Sequence, residues 1–353
     1  MPYCRKCGAK LDDEARFCHA CGTPVAVVTA TTRPTMPTRR RPFYILPVAI
    51  LIAGILTVIV ISALLFLPFY PVHFNQTNQV PEADVNNLFL DLQADVANVN
   101  IFFENLHGKM IVLNVTADGN VGIFDDPNQA VNVTFSHQTA NNSVIVTAKV
   151  SRAIRYLLLY NLNVNCDVYI DPSANLTLNV RSSVGNIIMD ADAEATLQIL
   201  DLETTTGSID VNLSKSVINA GLVSLHTTTG SVQFRMDEAD VSGNVSVSLQ
   251  STTGSVNLDL TATQRLAGNV TVNVRTTTGS VNLRMIIDND VGARIESDTN
   301  FGRITADVKK FSGTQTPLQS NNYPAGSNFL VNLKTTTGGI NINATYGAST
   351  VLS

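Results

Sequence analysis

The chain has 353 residues, of which 14% are charged and 6% are aromatic, and it contains no Trp. Residues 1–42 hold 8 Lys and Arg against 3 acidic residues, whereas the remainder holds 15 against 25. A chain of this length can hold more than one domain. Its long acidic part has no basic stripe, which argues against nucleic-acid binding there.

Residues 1–24 contain two Cys-x2-Cys pairs, each followed by a glycine. The candidate metal ligands are Cys4, Cys7, Cys18 and Cys21. Four thiolates can bind zinc tetrahedrally, and they leave no position open for water. The pattern predicts a structural Zn2+ site that supplies most of the folding energy of this small domain. A miniature fold held by disulfides is the alternative. It is disfavoured because the charge pattern around residues 39–70, described below, predicts that the N-terminus lies in the cytoplasm, which is reducing.

The run Tyr-Cys-Arg-Lys-Cys-Gly, followed by Cys-His-Ala-Cys-Gly, resembles the short zinc-ribbon modules at the N-termini of many archaeal and bacterial membrane proteins. The resemblance covers residues 3–24. It implies binding of nucleic acid or protein. Acidic residues at 12–14 interrupt the basic patch, so we expect a cytoplasmic protein partner rather than nucleic acid. Residues 25–42 are rich in Thr, Pro and Arg, which is typical of a flexible linker.

Residues 43–70 form a run of 28 residues without a charge. As a helix this run could reach about 42 Å, more than the roughly 30 Å hydrocarbon core of a bilayer. We predict one transmembrane helix, limited by Pro47 and Pro68; a buried core helix is the alternative. Three arginines at 39–41 precede the run, and the next basic residue is Lys109. The positive-inside rule therefore predicts a cytoplasmic N-terminus and an extracellular region over 71–353.

A five-residue motif recurs in the second half of the chain. Thr-Thr-Thr-Gly-Ser or a close variant occupies 204–208, 227–231, 251–255, 276–280 and 335–339. The glycines Gly207, Gly230, Gly254 and Gly279 lie 23, 24 and 25 residues apart. A fixed period of this size indicates one small structural unit stacked on itself.

Apolar residues alternate strictly on both sides of each motif, as in Val245, Val247 and Leu249 before Gly254. This period of two predicts strands with one buried face, joined by a corner at the glycine. Two strands are clear in each period, and the connection has room for a short third. The fold class is therefore mainly β, with a parallel β-solenoid (β-helix), in which Thr stacks above Thr along the corner. A β-sandwich is the alternative, but it would not require evenly spaced corners.

The repeat weakens towards both ends. Diverged corners surround Gly185 and Gly302, and the distance of 36 residues from Gly302 to Gly338 predicts an insertion around 310–328. Residues 72–160 alternate with only faint repeats, so we expect an N-terminal cap there and repeats over 161–346. The lone Cys166 lies among alternating apolar residues, which predicts a small buried core residue.

The segment that runs from Tyr169 through Asp-Pro-Ser-Ala-Asn to Val-Gly-Asn-Ile187, together with the later corners, resembles the putative-adhesin domain family over about 85–346. The resemblance implies a β-solenoid and an adhesin-like role, and it carries no catalytic or binding residues.

We expect a single-pass cell-surface protein that is not an enzyme and that binds cell-surface polymers or other copies of itself. The alternative is a transmembrane sensor or scaffold that couples the envelope state to a cytoplasmic partner through the zinc ribbon. An enzyme is the weakest possibility. Its candidate acids would be Asp190, Asp192, Asp201 and Asp210, which do not recur in register.

Overall fold

The protein is described by a computed structural model. The described residues are 3–25, 45–65, 70–81, 85–122, 125–153, 161–191, 195–214, 216–263, 266–288, 290–313 and 316–347. The chain divides into two units, Met1–Phe66 and Leu67–Ser353. Most of the predicted linker over 25–42 lies outside the described residues.

The first unit contains helix α1 (Ile45–Leu65). It begins before Pro47, so the expected limit at this proline was wrong; a proline is tolerated in the first turn, where N–H groups have no partner within the helix. Side chains of α1 are described at 48–60 and 62. Across the described residues, no helix is both long and apolar enough to cross a membrane. The expected membrane span over 43–70 is therefore not supported by the described part of the chain.

The second unit consists of strands and one short 3-10 turn at Pro127–Gln129. The strands are β1 (Tyr70–Pro81), β2 (Asn87–Val96), β3 (Asn98–Phe103), β4 (Lys109–Val121), β5 (Val131–Ala140), β6 (Ser143–Arg152), β7 (Asn161–Ile170), β8 (Asn175–Val184), β9 (Ile187–Ala191), β10 (Thr196–Thr206), β11 (Ile209–Ser214), β12 (Val217–Thr229), β13 (Val232–Asp237), β14 (Asp240–Ser242), β15 (Val245–Thr253), β16 (Val256–Ala262), β17 (Val270–Thr278), β18 (Val281–Ile287), β19 (Val291–Phe301), β20 (Ile304–Lys309), β21 (Phe311–Ser312), β22 (Leu318–Ser320), β23 (Ser327–Thr337) and β24 (Ile340–Tyr346).

These strands form two sheets. Sheet I has 11 strands in the order β1-β4-β7-β3-β9-β11-β13-β16-β18-β24-β20. Sheet II has 13 strands; twelve follow the order β21-β22-β19-β23-β17-β15-β12-β10-β8-β2-β6-β5, and β14 pairs with β12. Each repeat contributes one strand to each sheet, and the inward apolar side chains of both sheets form one continuous core. The predicted mainly-β fold with parallel, in-register strands is confirmed.

The alternation of side chains explains this arrangement. In β15, inward residues such as Val247 and Leu249 are fully buried, while the residues between them face solvent. Strand β15 pairs in parallel with β17, and the register places Val247 beside Val272. Equivalent residues therefore lie beside one another in successive repeats, as the sequence period predicts. The predicted burial of Cys166 is also confirmed: it is 0% exposed, and burial, together with the charge of Asp167, raises its pKa to about 12.

Each corner depends on a glycine with a positive φ. Gly230 has φ of +146°, and a Cβ on it would lie 1.9 Å from the carbonyl oxygen of Gly207 in the neighbouring repeat. The first Thr of the motif is buried, and its hydroxyl donates to a glycine carbonyl: Thr227 Oγ1 lies 2.8 Å from Gly207 O. Thr does stack beside Thr, as in Thr204 beside Thr227. However, its hydroxyl bonds to the backbone of the adjacent repeat rather than to another hydroxyl.

The order of the repeats differs from chain order at both ends. Strands β2 and β3 lie between β6–β7 and β8–β9, within the segment expected to form the cap. At the other end, β23 and β24 insert between β17–β18 and β19–β20. The expected insertion around 310–328 contains the two short strands β21 and β22, and β22 pairs with β19. Among the described connections, only β14 forms a third strand of the predicted kind.

Candidate functional site

The N-terminal cysteines converge on one point. The four Sγ atoms of Cys4, Cys7, Cys18 and Cys21 all lie within 4.8 Å of one another. Two of these distances are 3.7 Å, between Cys4 and Cys21, and 3.6 Å, between Cys7 and Cys18. A zinc tetrahedron with Zn–S bonds of about 2.3 Å places its sulfurs about 3.8 Å apart. The donor set and its spacing therefore fit a zinc ion.

Two similar turns hold these cysteines in place. Cys4 N–H donates to Ala9 O and Gly8 N–H donates to Cys4 O, at 2.8 and 2.9 Å. Gly8 has φ of +76° and Gly22 has φ of +72°. Each glycine directly follows the second cysteine of its pair, where the chain must reverse, and this backbone conformation strongly favours glycine.

The surroundings of the thiols shift their pKa values in opposite directions. The Thr23 hydroxyl lies 3.2 Å from Cys21 Sγ, and hydrogen bonds from this hydroxyl and from the Thr23 N–H lower the pKa of Cys21 to about 6. The N–H of Ala9 lowers the pKa of Cys7, but the thiols of Cys21 and Cys18 outweigh it and raise that pKa to about 12. Four close thiols resist simultaneous ionisation, and a bound cation removes this conflict because it stabilises every thiolate.

The outer face of sheet I carries a second candidate site, a groove of about 520 Å3. Side-chain amides follow one another along it in a hydrogen-bonded row. Asn282 Nδ2 donates to Asn257 Oδ1 at 2.8 Å, and Asn341 Nδ2 donates to Asn282 Oδ1 at 2.8 Å. Thr305 Oγ1 extends the row by donating to Asn341 Oδ1 at 2.6 Å. We call Asn257, Asn282, Asn341 and Thr305 the amide row.

Charged side chains lie beside the amide row on the same face. Arg284 donates through Nη1 to both carboxylate oxygens of Asp259, at 3.0 and 3.1 Å. Arg235 lies 3.8 Å from Asp210. These pairs are partly exposed, so each contributes little to stability. Their donors and acceptors instead form part of the polar lining of the groove, and each strand of the groove contributes polar side chains to it.

The described carboxylates proposed for an enzyme do not form one cluster. Asp190 accepts a hydrogen bond of 2.9 Å from Asn212 on the outer face of sheet I. Asp210 pairs with Arg235 on the same face. Asp201 instead belongs to β10 of sheet II. Asp192 lies outside the described residues. Of the three described aspartates, Asp190 and Asp210 thus share the outer face of sheet I, and Asp201 lies on the other sheet.

Comparison with known proteins identifies the N-terminal module. Residues 3–25 match the zinc-ribbon domain family. The predicted zinc-ribbon resemblance is thus confirmed, and the four predicted ligands lie close enough together to hold a metal ion. A search of curated proteins gives no match for this sequence.

Solved structures similar to the chain have low sequence identity. A putative cell adhesion protein from Clostridium sporogenes is 13% identical with a TM-score of 0.40, covering 77% of this chain and 99% of its own. A putative adhesin from Bacteroides fragilis is 12% identical with a TM-score of 0.34, covering 76% and 96%. A putative adhesin from Parabacteroides merdae is 11% identical with a TM-score of 0.27, covering 76% and 95%.

The sequence predicts the cysteine cluster, but the amide row was not predicted from it. A signal for it exists: each asparagine lies three residues after a corner glycine, as Asn257 follows Gly254 and Asn282 follows Gly279. Because equivalent positions of a parallel stack are neighbours, this fixed offset predicts a row of amides. Thr305 follows Gly302 by the same offset, so the diverged corner also shows its place in the row.

Proposed function

We propose that this chain is a membrane-anchored surface protein whose β-solenoid binds extended polymers of the cell envelope or of other cells. The observation that carries this proposal is the amide row with its adjacent charged pairs. Donors and acceptors recur there at the strand spacing of about 4.8 Å. An extended polymer with repeating hydroxyl or amide groups can contact several strands at once, so that many weak contacts add up to useful avidity.

The anchor proposed is the run over 43–70. Its support is the absence of charge over 28 residues and the apolar character of α1 on every side. Side chains such as Ile50, Leu51 and Val58 are between 63% and 67% exposed. As a helix, the whole uncharged run would reach about 42 Å, more than the roughly 30 Å hydrocarbon core. The basic residues at 39–41 support a cytoplasmic zinc ribbon and an extracellular solenoid, by the positive-inside rule.

We propose no catalytic activity, and structural zinc as the metal of the ribbon. Four cysteine ligands leave zinc without an open position for substrate or water. The groove is lined by amides and by arginine–carboxylate pairs, and among its described residues none is placed as a nucleophile with an adjacent base.

A binding experiment with two matched variants tests the proposal. The full chain, reconstituted in vesicles, is titrated with isolated envelope polysaccharide and with intact cells. Asn282→Ala removes the centre of the amide row, whereas Asn273→Ala removes the outward asparagine of the same repeat on sheet II. We expect saturable binding that Asn282→Ala weakens and Asn273→Ala leaves unchanged. Binding that is absent, or equally sensitive to both changes, would refute the groove as the site.

A second function is favoured by a feature of the ribbon. Tyr3 and Phe17 each precede the first cysteine of a pair, and they are 63% and 64% exposed. Exposed aromatic residues at equivalent positions can bind a cytoplasmic protein, which suits a sensor or scaffold. Deletion of 1–24 separates the two functions, because polymer binding should survive the deletion and any signalling output should not.

A further inference from the structure

Strand β20 leaves one edge of sheet I unpaired. It pairs in parallel with β24, and no described strand pairs with its other side. Sheet II continues at the same end through β22 and β21, so only sheet I stops here. Five of the six residues of β20 are exposed. An unpaired, exposed strand edge is a template for pairing with another chain.

The backbone shows which groups face the open edge. Ile340 N–H donates to Arg303 O at 3.0 Å, so Arg303 directs its carbonyl towards β24. Peptide groups alternate in direction along a strand, and Ile304, Ala306 and Val308 therefore direct theirs to the open side. These three residues offer an unbroken set of donors and acceptors to a neighbouring strand.

The same end of the solenoid exposes apolar side chains that other repeats bury or replace. Phe301 is 72% exposed and aligns with Thr337 of the adjacent repeat. Thr278, one repeat further in, occupies the equivalent corner position. Ile304 is 38% exposed, whereas Ile340 beside it is fully buried. A further strand along β20 would cover part of this apolar surface, which favours pairing.

We infer that β20 pairs antiparallel with β20 of a second copy of this chain, with Thr305 on the two-fold axis. Directly opposed residues in such a pair have their side chains on the same face of the sheet. The two-fold axis therefore passes through one residue of β20, and each possible register is defined by that central residue. A centre at Thr305 places Arg303 opposite Asp307 of the second copy, twice. A centre at Ala306 would place Arg303 of one copy opposite Lys309 of the other, so two positive charges would meet. A centre at Asp307 would place the two copies of Asp307 opposite each other. Of these three centres, only Thr305 opposes unlike charges, and charge therefore favours it.

Backbone geometry agrees with this register. Ile304 of one copy and Ala306 of the other form the hydrogen-bonded pairs, because both direct their peptide groups to the open edge. Arg303 and Asp307 then fall in non-hydrogen-bonded positions, where opposed Cα atoms are about 4.5 Å apart and side chains approach most closely. Arg303 and Asp307 form no ion pair with any described residue of their own chain, so both are available.

The pairing would join the two solenoids end to end. β20 and β1 are opposite edges of sheet I, and β1 is the strand that follows α1 in the chain. A pair through β20 forms one continuous sheet with a β1 strand at each outer edge. We infer that such a pair links copies carried by two different cells. The role in adhesion rests on the proposed function, whereas the pairing itself does not.

Sedimentation of the full chain in detergent micelles, over a concentration series, tests the pairing. Ala306→Pro removes a peptide N–H that faces the open edge and keeps the bonds to β24. Arg303→Asp or Asp307→Arg alone opposes like charges, and the two changes together restore opposite charges with exchanged positions. We expect a dimer that Ala306→Pro abolishes and that each single charge change weakens roughly tenfold or more. The double variant should recover most of the wild-type affinity.

Other outcomes overturn the inference. A chain that is monomeric at every concentration has no such pairing, and a dimer that is insensitive to all four variants is formed elsewhere, for example through β5. Unchanged circular dichroism and melting temperature show that the variants remain folded. A parallel assay mixes two populations of vesicles that carry the chain and measures their clustering. A dimer in micelles without clustering would refute the role in adhesion and leave the pairing intact.

Discussion

The stacked glycine corners predict that a single methyl group at Gly254 will disturb the whole solenoid. Gly254 has φ of +147°, and a Cβ there would lie 2.0 Å from Gly230 O and 2.5 Å from Gly230 C. These are backbone atoms of the adjacent repeat, so no side-chain rotation can relieve the contact. The two corners must separate, or the backbone at residue 254 must change conformation.

The size of the effect follows from the bonds between these corners. Separation breaks the bond from Ser251 Oγ to Gly230 O, at 2.8 Å, and that from Gly230 N–H to Thr253 O, at 2.9 Å. Each contributes about 1 kcal/mol, and the glycine-only backbone conformation adds about 1–3 kcal/mol of strain for alanine. We expect Gly254→Ala to destabilise the solenoid by about 3–5 kcal/mol. For a cooperative domain of about 280 residues, this lowers Tm by roughly 5–9 °C.

Thermal unfolding of the full chain, followed by far-ultraviolet circular dichroism, measures this loss. Ser255→Ala is the matched control, because it changes the next residue of the same corner, whose side chain is only partly buried. We expect the control to stay within about 0.5 kcal/mol of the unchanged chain. If Gly254→Ala melts at the same temperature as Ser255→Ala, the argument that corner contacts hold the repeats together fails.

Three further predictions concern the corner and the ribbon. Thr227→Val removes a buried hydrogen bond and should cost about 1–2 kcal/mol in chemical denaturation, whereas exposed Thr228→Val should cost almost nothing. Cys18→Ser should abolish stoichiometric zinc in elemental analysis of a chain that otherwise binds one ion. In metal-free protein, Thr23→Val should raise the pKa of Cys21 from about 6 towards 9.0, so at neutral pH its thiolate fraction and its alkylation rate should fall. An unchanged pH profile of alkylation would contradict this cause.

The repeat and the cluster of four cysteines could be predicted because both follow short, regular sequence patterns. Corner glycines at intervals of 23 to 25 residues place equivalent residues side by side, and the alternation around Val247 shows which face is buried. The four cysteines are likewise close in sequence, and their spacing alone implies a common metal. In both cases local spacing determines spatial proximity, so no knowledge of distant contacts is needed.

The order of the outermost repeats could not be predicted in the same way. Gly302 lies 23 residues after Gly279, and this spacing suggests that their repeats are neighbours. In the structure Gly338 lies between them: Gly279 N–H bonds to Thr337 O, and Gly338 N–H bonds to Phe301 O. Spacing along the chain shows how long a repeat is, but not which other repeat packs against it. The stacking order at each end depends instead on which strands pair there.

The two possible stacking orders at this end of the solenoid differ in which repeat lies outermost, and this difference gives a physical reason for the inserted order. If β19–β20 stacked directly on β17–β18, the later repeat with its full Thr-Thr-Thr-Gly corner would lie outermost, with its apolar face uncovered. Insertion buries Ile340 and Phe329 of that repeat completely and leaves the diverged repeat, with Phe301 and exposed Ile304, at the open end. The hairpin β21–β22 then covers only the sheet II side of that repeat, at Ile295. The chain thus places a repeat with a Thr-Thr-Thr-Gly corner inside the stack and the diverged repeat at the unpaired edge, where its surface can differ from the rest.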